Sequence, residues 1–183
     1  MALVGVDEAG RGALAGDMHI GACKLLKNID GLADSKKLNN QQRQRLYEKI
    51  LKNSNFLILA FSPFQIDTLG LSKCLKLALE IIQNHFNKDE ILYDGNLNYG
   101  VSGIKTMIKA DAKIQEVSAA SILAKVSRDI KMCYLPTIYE KYEFHKHKGY
   151  GTKIHIEKIK IYGYSPLHRK SFALKCFEKN LFD

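Results

Sequence analysis

The stretch Ala2-Leu3-Val4-Gly5-Val6-Asp7-Glu8-Ala9-Gly10-Arg11-Gly12 opens without a charge, then presents two adjacent carboxylates and a glycine-flanked arginine. An apolar run that ends in acid reads as a buried strand carrying its last side chains to the rim of a sheet, where open α/β architectures place their ligands. Residues 7–12 therefore suggest a metal site beside a phosphate site. A charged strand end followed by a glycine turn would give the same string, so the rest of the chain must decide.

Outward from that run the pattern is alternation. Met18–Leu26 is a second apolar run, and Asn40–Asn53 is helical, with Leu46, Ile50 and Leu51 on one face. Phe56–Ser62 reads as a buried strand closed by Pro63, and Leu71–Phe86 as an amphipathic helix with Leu75, Leu79 and Ile82 at helical spacing. Glu90–Tyr93 and Gly103–Ile108 are further short strands. From Ile114 to about Tyr142 the pattern is helical, with a break at Pro136, and the tail offers two short helices, His155–Tyr162 and Phe172–Asn180.

Three strands thus end in acid: Asp7 with Glu8, then Asp94, then Asp111. If the strands are neighbours pointing the same way, their carboxylates converge, and such a cluster needs a cation to offset its repulsion. Oxygen-only ligation favours Mg²⁺ or Mn²⁺ over zinc. Taken singly, Asp94-Gly95 also suits a plain turn and Asp111 a helix N-cap. Asp7 and Glu8 pose a further difficulty, because successive strand side chains point to opposite faces. The expectation is that regular strand geometry stops within a residue or so of Asp7. Gly10 and Gly12 would release the chain there, and the longer Glu8 side chain would reach round.

The 183 residues, 46% hydrophobic, suffice for one core with a small helical appendage. No apolar stretch approaches a membrane span, and no basic segment precedes an apolar one at the start, so a cytoplasmic protein is expected. Cys23, Cys74, Cys133 and Cys176 lack metal or redox spacing and are expected to be buried thiols. The net charge is +9, and residues 128–183 hold 12 Lys and Arg against 6 Asp and Glu. A basic C-terminal third suits a polyanionic partner. His145 and His147 have no third ligand at metal spacing and read as loop histidines near a nucleic-acid path.

The segments Val6–Gly12, Asp34-Ser35-Lys36-Lys37-Leu38, Asp94-Gly95-Asn96, Lys109–Ala112, Ala119–Val126, His147–Thr152 and His168–Phe172 resemble, in order and spacing, the signature blocks of bacterial ribonuclease HII. The resemblance covers nearly the whole chain. It implies an α/β ribonuclease H-like fold, with a five-stranded mixed sheet flanked by helices and a small C-terminal helical extension. A catalytic core over residues 1–142 is expected, with residues 143–183 forming the extension and a substrate-binding loop.

The implied activity is hydrolysis of the RNA strand of RNA–DNA hybrids. Incision of duplex DNA 5′ of an embedded ribonucleotide is also implied, leaving 3′-hydroxyl and 5′-phosphate ends. The family's metal ligands carry over to Asp7, Glu8, Asp94 and Asp111, the set that strand ends also select. Two divalent ions, Mg²⁺ or Mn²⁺, about 4 Å apart would activate water and stabilise the leaving oxygen. In proteins of this kind the backbone of Gly10-Arg11-Gly12 reads the ribose 2′-hydroxyl, and a tyrosine, here Tyr150, stacks beneath the next deoxyribose. Ser35, Lys36, Ser121, Lys125, Arg169 and Lys170 are expected phosphate contacts, with Ser121 and Lys125 one helical turn apart.

Ala13, Asp17 and Ala110 depart from the family pattern, which has proline at the first two positions and glycine at the third. None removes a metal ligand. A monomer is expected, with a replication or repair partner docking through the C-terminus. A resolvase-like nuclease would share the strand-end acids but leaves the Tyr150 block unexplained, and a binding module would have no turnover for Asp7→Asn to abolish.

Overall fold

The computed structural model describes residues 1–32 and 38–172. Five strands form one mixed sheet: β1 (Leu3–Ala9), β2 (Met18–Leu25), β3 (Ser54–Phe61), β4 (Glu90–Asp94) and β5 (Ile104–Met107), in the order β3-β2-β1-β4-β5. β1 pairs antiparallel with β2 and parallel with β4, and β4 is parallel to β5. Among the described residues six helices accompany them: α1 (Asn40–Lys52), α2 (Pro63–Leu69), α3 (Leu71–His85), α4 (Gln115–Cys133), α5 (Phe144–His147) and α6 (Lys153–Tyr162). Among the described residues no helix is long and apolar enough to cross a membrane.

Period-two alternation in β1 assigns its two faces. Val4 and Val6 are fully buried in a core that includes Leu75, Leu79 and Ile82 of α3 and Ile91 and Tyr93 of β4. Gly5 points the other way, where a Cβ would fall 2.2 Å from the backbone of Glu116 and Val117. Gly21 of β2 meets Ala120 in the same manner, at 2.4 Å. Two side-chain-free positions thus let α4 lie directly on β1 and β2, and its run Ser118-Ala119-Ala120 supplies the small residues this approach needs. Behind α4, Cys23, Leu46, Ile50, Ala119 and Leu123 form a second core that seats α1.

β1 does not stop at Asp7. It pairs with β2 as far as Ala9↔His19, whereas its pairing with β4 ends at Val6↔Tyr93. One ladder suffices to keep the strand regular, so Asp7 and Glu8 stay on opposite faces. The chain turns only at Gly10, whose φ is +82°. Pro63 closes β3 as expected but also opens α2, a helix absent from the periodic reading; Ser62 and Gln65 form its capping box. β5 ends at Met107, four positions short of Asp111, which lies in a 3₁₀ turn over Ala110–Ala112. Pro136 marks a real break: α4 ends at Cys133 and a 3₁₀ segment covers Thr137–Tyr142. Cys23 and Cys74 are buried, but Cys133 at the end of α4 is exposed, contrary to expectation. The expected helix Phe172–Asn180 and Cys176 fall outside the described residues, except Phe172 itself.

Candidate metal centre and sugar-facing loop

Asp7, Asp94 and Asp111 each offer a carboxylate oxygen, and these oxygens lie within 4.8 Å of one another. Asp7 is at the notch where β1 has lost β4 as a neighbour, and Asp94 is the last residue of β4. Lys109, in the left-handed region at φ 58°, turns the chain so that the N–H groups of Ala110 and Asp111 donate to Asp94 at 3.2 and 3.5 Å. Ala110, at the position where glycine is usual, is fully buried and donates this bond without needing a positive φ.

The electrostatics match a site made for a cation. Burial, with the Glu8 and Asp94 charges, pushes the Asp7 carboxyl up to about 8, against the opposing Ser121 hydroxyl and Glu8 N–H. Burial and the Asp111 carboxylate also push Asp94 up. Three converging hard oxygen donors, with Asp7 and Asp94 both resisting ionisation, fit a divalent ion such as Mg²⁺ or Mn²⁺.

Glu8 is not in this group. It shares the face of Val6, where Tyr93 Oη donates to its Oε2 at 2.7 Å and Arg11 Nη1 donates to its Oε1 at 3.4 Å. Burial pushes its carboxyl up, while these two donors oppose the shift. Tyr93 was not singled out by the sequence, although it directly precedes Asp94 and its register partner is Val6.

Beyond the acids, the Gly10 N–H donates to Tyr150 Oη at 3.2 Å, so residues 140 positions apart form one wall of the cleft. The Tyr150 ring is 36% exposed, with Lys125 Nζ 5.8 Å and Arg128 Cζ 5.1 Å from its centroid. At Gly12 nothing lies within 4 Å of where a Cβ would sit, which leaves room for close approach from outside. Ser121 bonds Asp7, and Lys125 pairs with Asp129 at 2.7 Å. Ser35 and Lys36 lie outside the described residues.

Arg169 is a correction. Expected to touch phosphate, it is fully buried, and it donates to Gly16 O twice, at 3.1 and 2.8 Å, and to Arg11 O at 2.9 Å. It binds the main chain of the 11–16 loop in place of substrate. Lys170 is exposed, and its N–H caps Asp67. His147 is another correction: it is buried and stacked on His155 at 4.2 Å, with Nε2 against Tyr142 O, and so is a core residue. Asp17 pairs with Lys131, which neutralises the charge it adds, and Ala13 is buried where proline is common.

The chain is similar to known proteins of one family. The family model described as Ribonuclease HII matches residues 4–175. A protein named Ribonuclease HII from Campylobacter jejuni subsp. doylei is 61% identical over 173 residues, covering 94% of this chain and 91% of the relative. Among solved structures, ribonuclease H2 from Pyrococcus horikoshii matches with a TM-score of 0.73 at 28% identity, over 98% of this chain and 96% of that one. The ribonuclease HII of Archaeoglobus fulgidus, solved in complex with PCNA, matches with a TM-score of 0.75 at 24% identity, over 96% of each chain.

Proposed function

Because the chain belongs to the ribonuclease HII family, and is thereby a metal-dependent endonuclease of the RNA strand in RNA–DNA hybrids, we propose that it also incises duplex DNA 5′ of an embedded ribonucleotide. The products are a 3′-hydroxyl and a 5′-phosphate. Asp7, Asp94 and Asp111 hold the divalent ions, with Glu8 as the fourth carboxylate at their edge. Two such ions, when bound, supply an activated water and charge stabilisation for the leaving 3′-oxygen. The chain's own residues choose the phosphate to be cut.

The observation that carries the substrate reading is the bond between Gly10 and Tyr150. DNA and RNA differ at one residue chiefly by the 2′-hydroxyl, so a reader must bring main-chain groups against the sugar. The Gly10-Arg11-Gly12 backbone is open enough to do so at Gly12. Tyr150, held beside it, offers a half-exposed ring for the neighbouring deoxyribose. Lys125, Ser121, Ser35 and Lys36 are the phosphate contacts of this reading.

Residues 1–142 form the catalytic core and residues 143–183 an extension that carries Tyr150. The PCNA complex of the Archaeoglobus relative supports a replication partner for this chain also, and docking through the C-terminus is part of the same proposal.

The test is a duplex containing one ribonucleotide, incubated with the protein and Mg²⁺ or Mn²⁺. A single nick on the 5′ side is expected. An intact strand would sink this reading, and cutting that ignores the ribonucleotide would replace it with a resolvase-like nuclease.

A further inference from the structure

Arg128 lies on α4 yet turns inward and is 1% exposed. Its Nε donates to Asp17 O at 2.8 Å and its Nη2 to Ala15 O at 3.1 Å; Nη1 has no partner among the described residues. The Asp17 carboxylate is paired with Lys131. The guanidinium sits in the interior bonded to main-chain carbonyls, with the Asp129 and Asp17 charges acting on it from nearby. What lies against it is the sugar-facing wall. Its Cζ is 5.1 Å from the Tyr150 ring centroid, and a Cβ on Gly10 would fall 2.0 Å from its Nε.

We propose that Arg128 is the positioning residue that sets ribose discrimination, holding the Tyr150 ring and the Gly10 peptide at one fixed separation. This rests on the reading of Gly10 and Tyr150 given above. The planar fork bonds the Ala15 and Asp17 carbonyls at once while its Cζ lies over the Tyr150 ring, a geometry a lysine ammonium cannot reproduce. The Tyr150 hydroxyl then accepts from Gly10, closing a three-residue unit around the place of the 2′-hydroxyl. Arg128 touches no substrate itself and acts through the two residues that do.

The test compares KM for nicking a duplex with one ribonucleotide to the inhibition constant of the all-deoxy duplex of the same sequence. Arg128→Lys is expected to raise KM about tenfold, the scale of a desolvated cation–π contact, with the inhibition constant unchanged within about twofold. A ratio that stays at the wild-type value overturns the inference, as does a loss that weakens both duplexes equally, which is what a merely structural role gives. A wild-type protein that binds both duplexes alike overturns the Gly10–Tyr150 reading itself. Should Arg128→Lys fail to fold, amide exchange in the unaltered protein decides: the Gly10 N–H is expected to exchange slowly, and fast exchange overturns the unit.

Discussion

The Tyr93 hydroxyl donates to Glu8 at 2.7 Å, and this bond lies on the opposite side of β1 from Asp7. Adjacent acids in one motif thereby receive different environments, one among carboxylates and one under a phenol. Replacing Tyr93 by Phe leaves the Glu8 carboxylate with Arg11 as its remaining donor. Hydrogen bonds to charged groups contribute more than neutral ones, so a loss of about 2 kcal/mol is expected in urea unfolding. Glu8→Gln, which keeps an acceptor for Tyr93, should cost less, and the reverse order would show that the bond does not hold Glu8.

Asp7→Asn tests the cluster. Nicking should fall by at least about a thousandfold, since the ligand set and its charge are both diminished. Without metal, the melting temperature should hold or rise, because one of three converging carboxylates has gone. A variant that still nicks would remove Asp7 from the site.

Metal binding should release a proton. With its carboxyl near 8, Asp7 is largely protonated at pH 7 in the metal-free protein and must ionise to ligate. Apparent affinity for Mg²⁺ is therefore expected to rise with pH and to level off above about 8. Calorimetry in buffers of different ionisation heat reads the proton directly. Asp7→Asn should abolish the release, and an enthalpy independent of buffer in the wild type would refute it.

Acid should unfold the protein from the histidines. Burial lowers His19, His155 and His168 from the ordinary 6.5 to about 4. The unfolded chain accordingly takes up these protons first, so stability is whole above about pH 6.5 and drains as pH falls toward 4, by up to about 1.4 kcal/mol per pH unit for each. His155 Nε2 and His168 Nε2 face each other at 3.1 Å with room for one proton between them, so this pair cannot share the load independently. Denaturant midpoints at pH 7, 6 and 5 check the slope; a flat profile would contradict it.

Arg169→Lys should act on stability and leave electrostatic binding alone. The three bonds to Gly16 and Arg11 carbonyls cannot all be remade by an ammonium, and a drop in melting temperature is expected. The slope of log KM against log salt should not change, whereas Lys125→Ala should flatten it by about one. An altered slope in Arg169→Lys would return that residue to the phosphates.

The strands and the acids near them were legible because each is a local pattern, an apolar run followed by Asp, although only Asp94 ends its strand: Asp7 lies inside β1 and Asp111 in a 3₁₀ turn. Alternation along β1 also foretold the conflict between Asp7 and Glu8, but not its resolution, since the persistence of β1 to Ala9 depends on β2, a separate strand. α2 was missed because seven residues are too few for periodicity, although its Ser62-Pro63 start and Gln65 were visible. Arg128 and Arg169 were illegible for a deeper reason. Their partners are main-chain carbonyls more than a hundred residues away, and a carbonyl leaves no mark in residue identity. A buried arginine bonded to backbone looks, in sequence, like any exposed one.

The clasp between the start and the end of the chain has a consequence in time. Ala15 bridges to His168, Leu14 O accepts from Arg169, and Leu14 and Ala15 both donate to Gly149 O. The loop over residues 10–16 is therefore braced by residues that follow it by more than a hundred positions: Arg128, Gly149, His168 and Arg169. At about 5–20 residues per second, on the order of ten seconds separate the two during translation. Through that interval the nascent chain carries Asp7 and Glu8 beside a loop that still lacks the bonds to Arg128, Gly149 and Arg169.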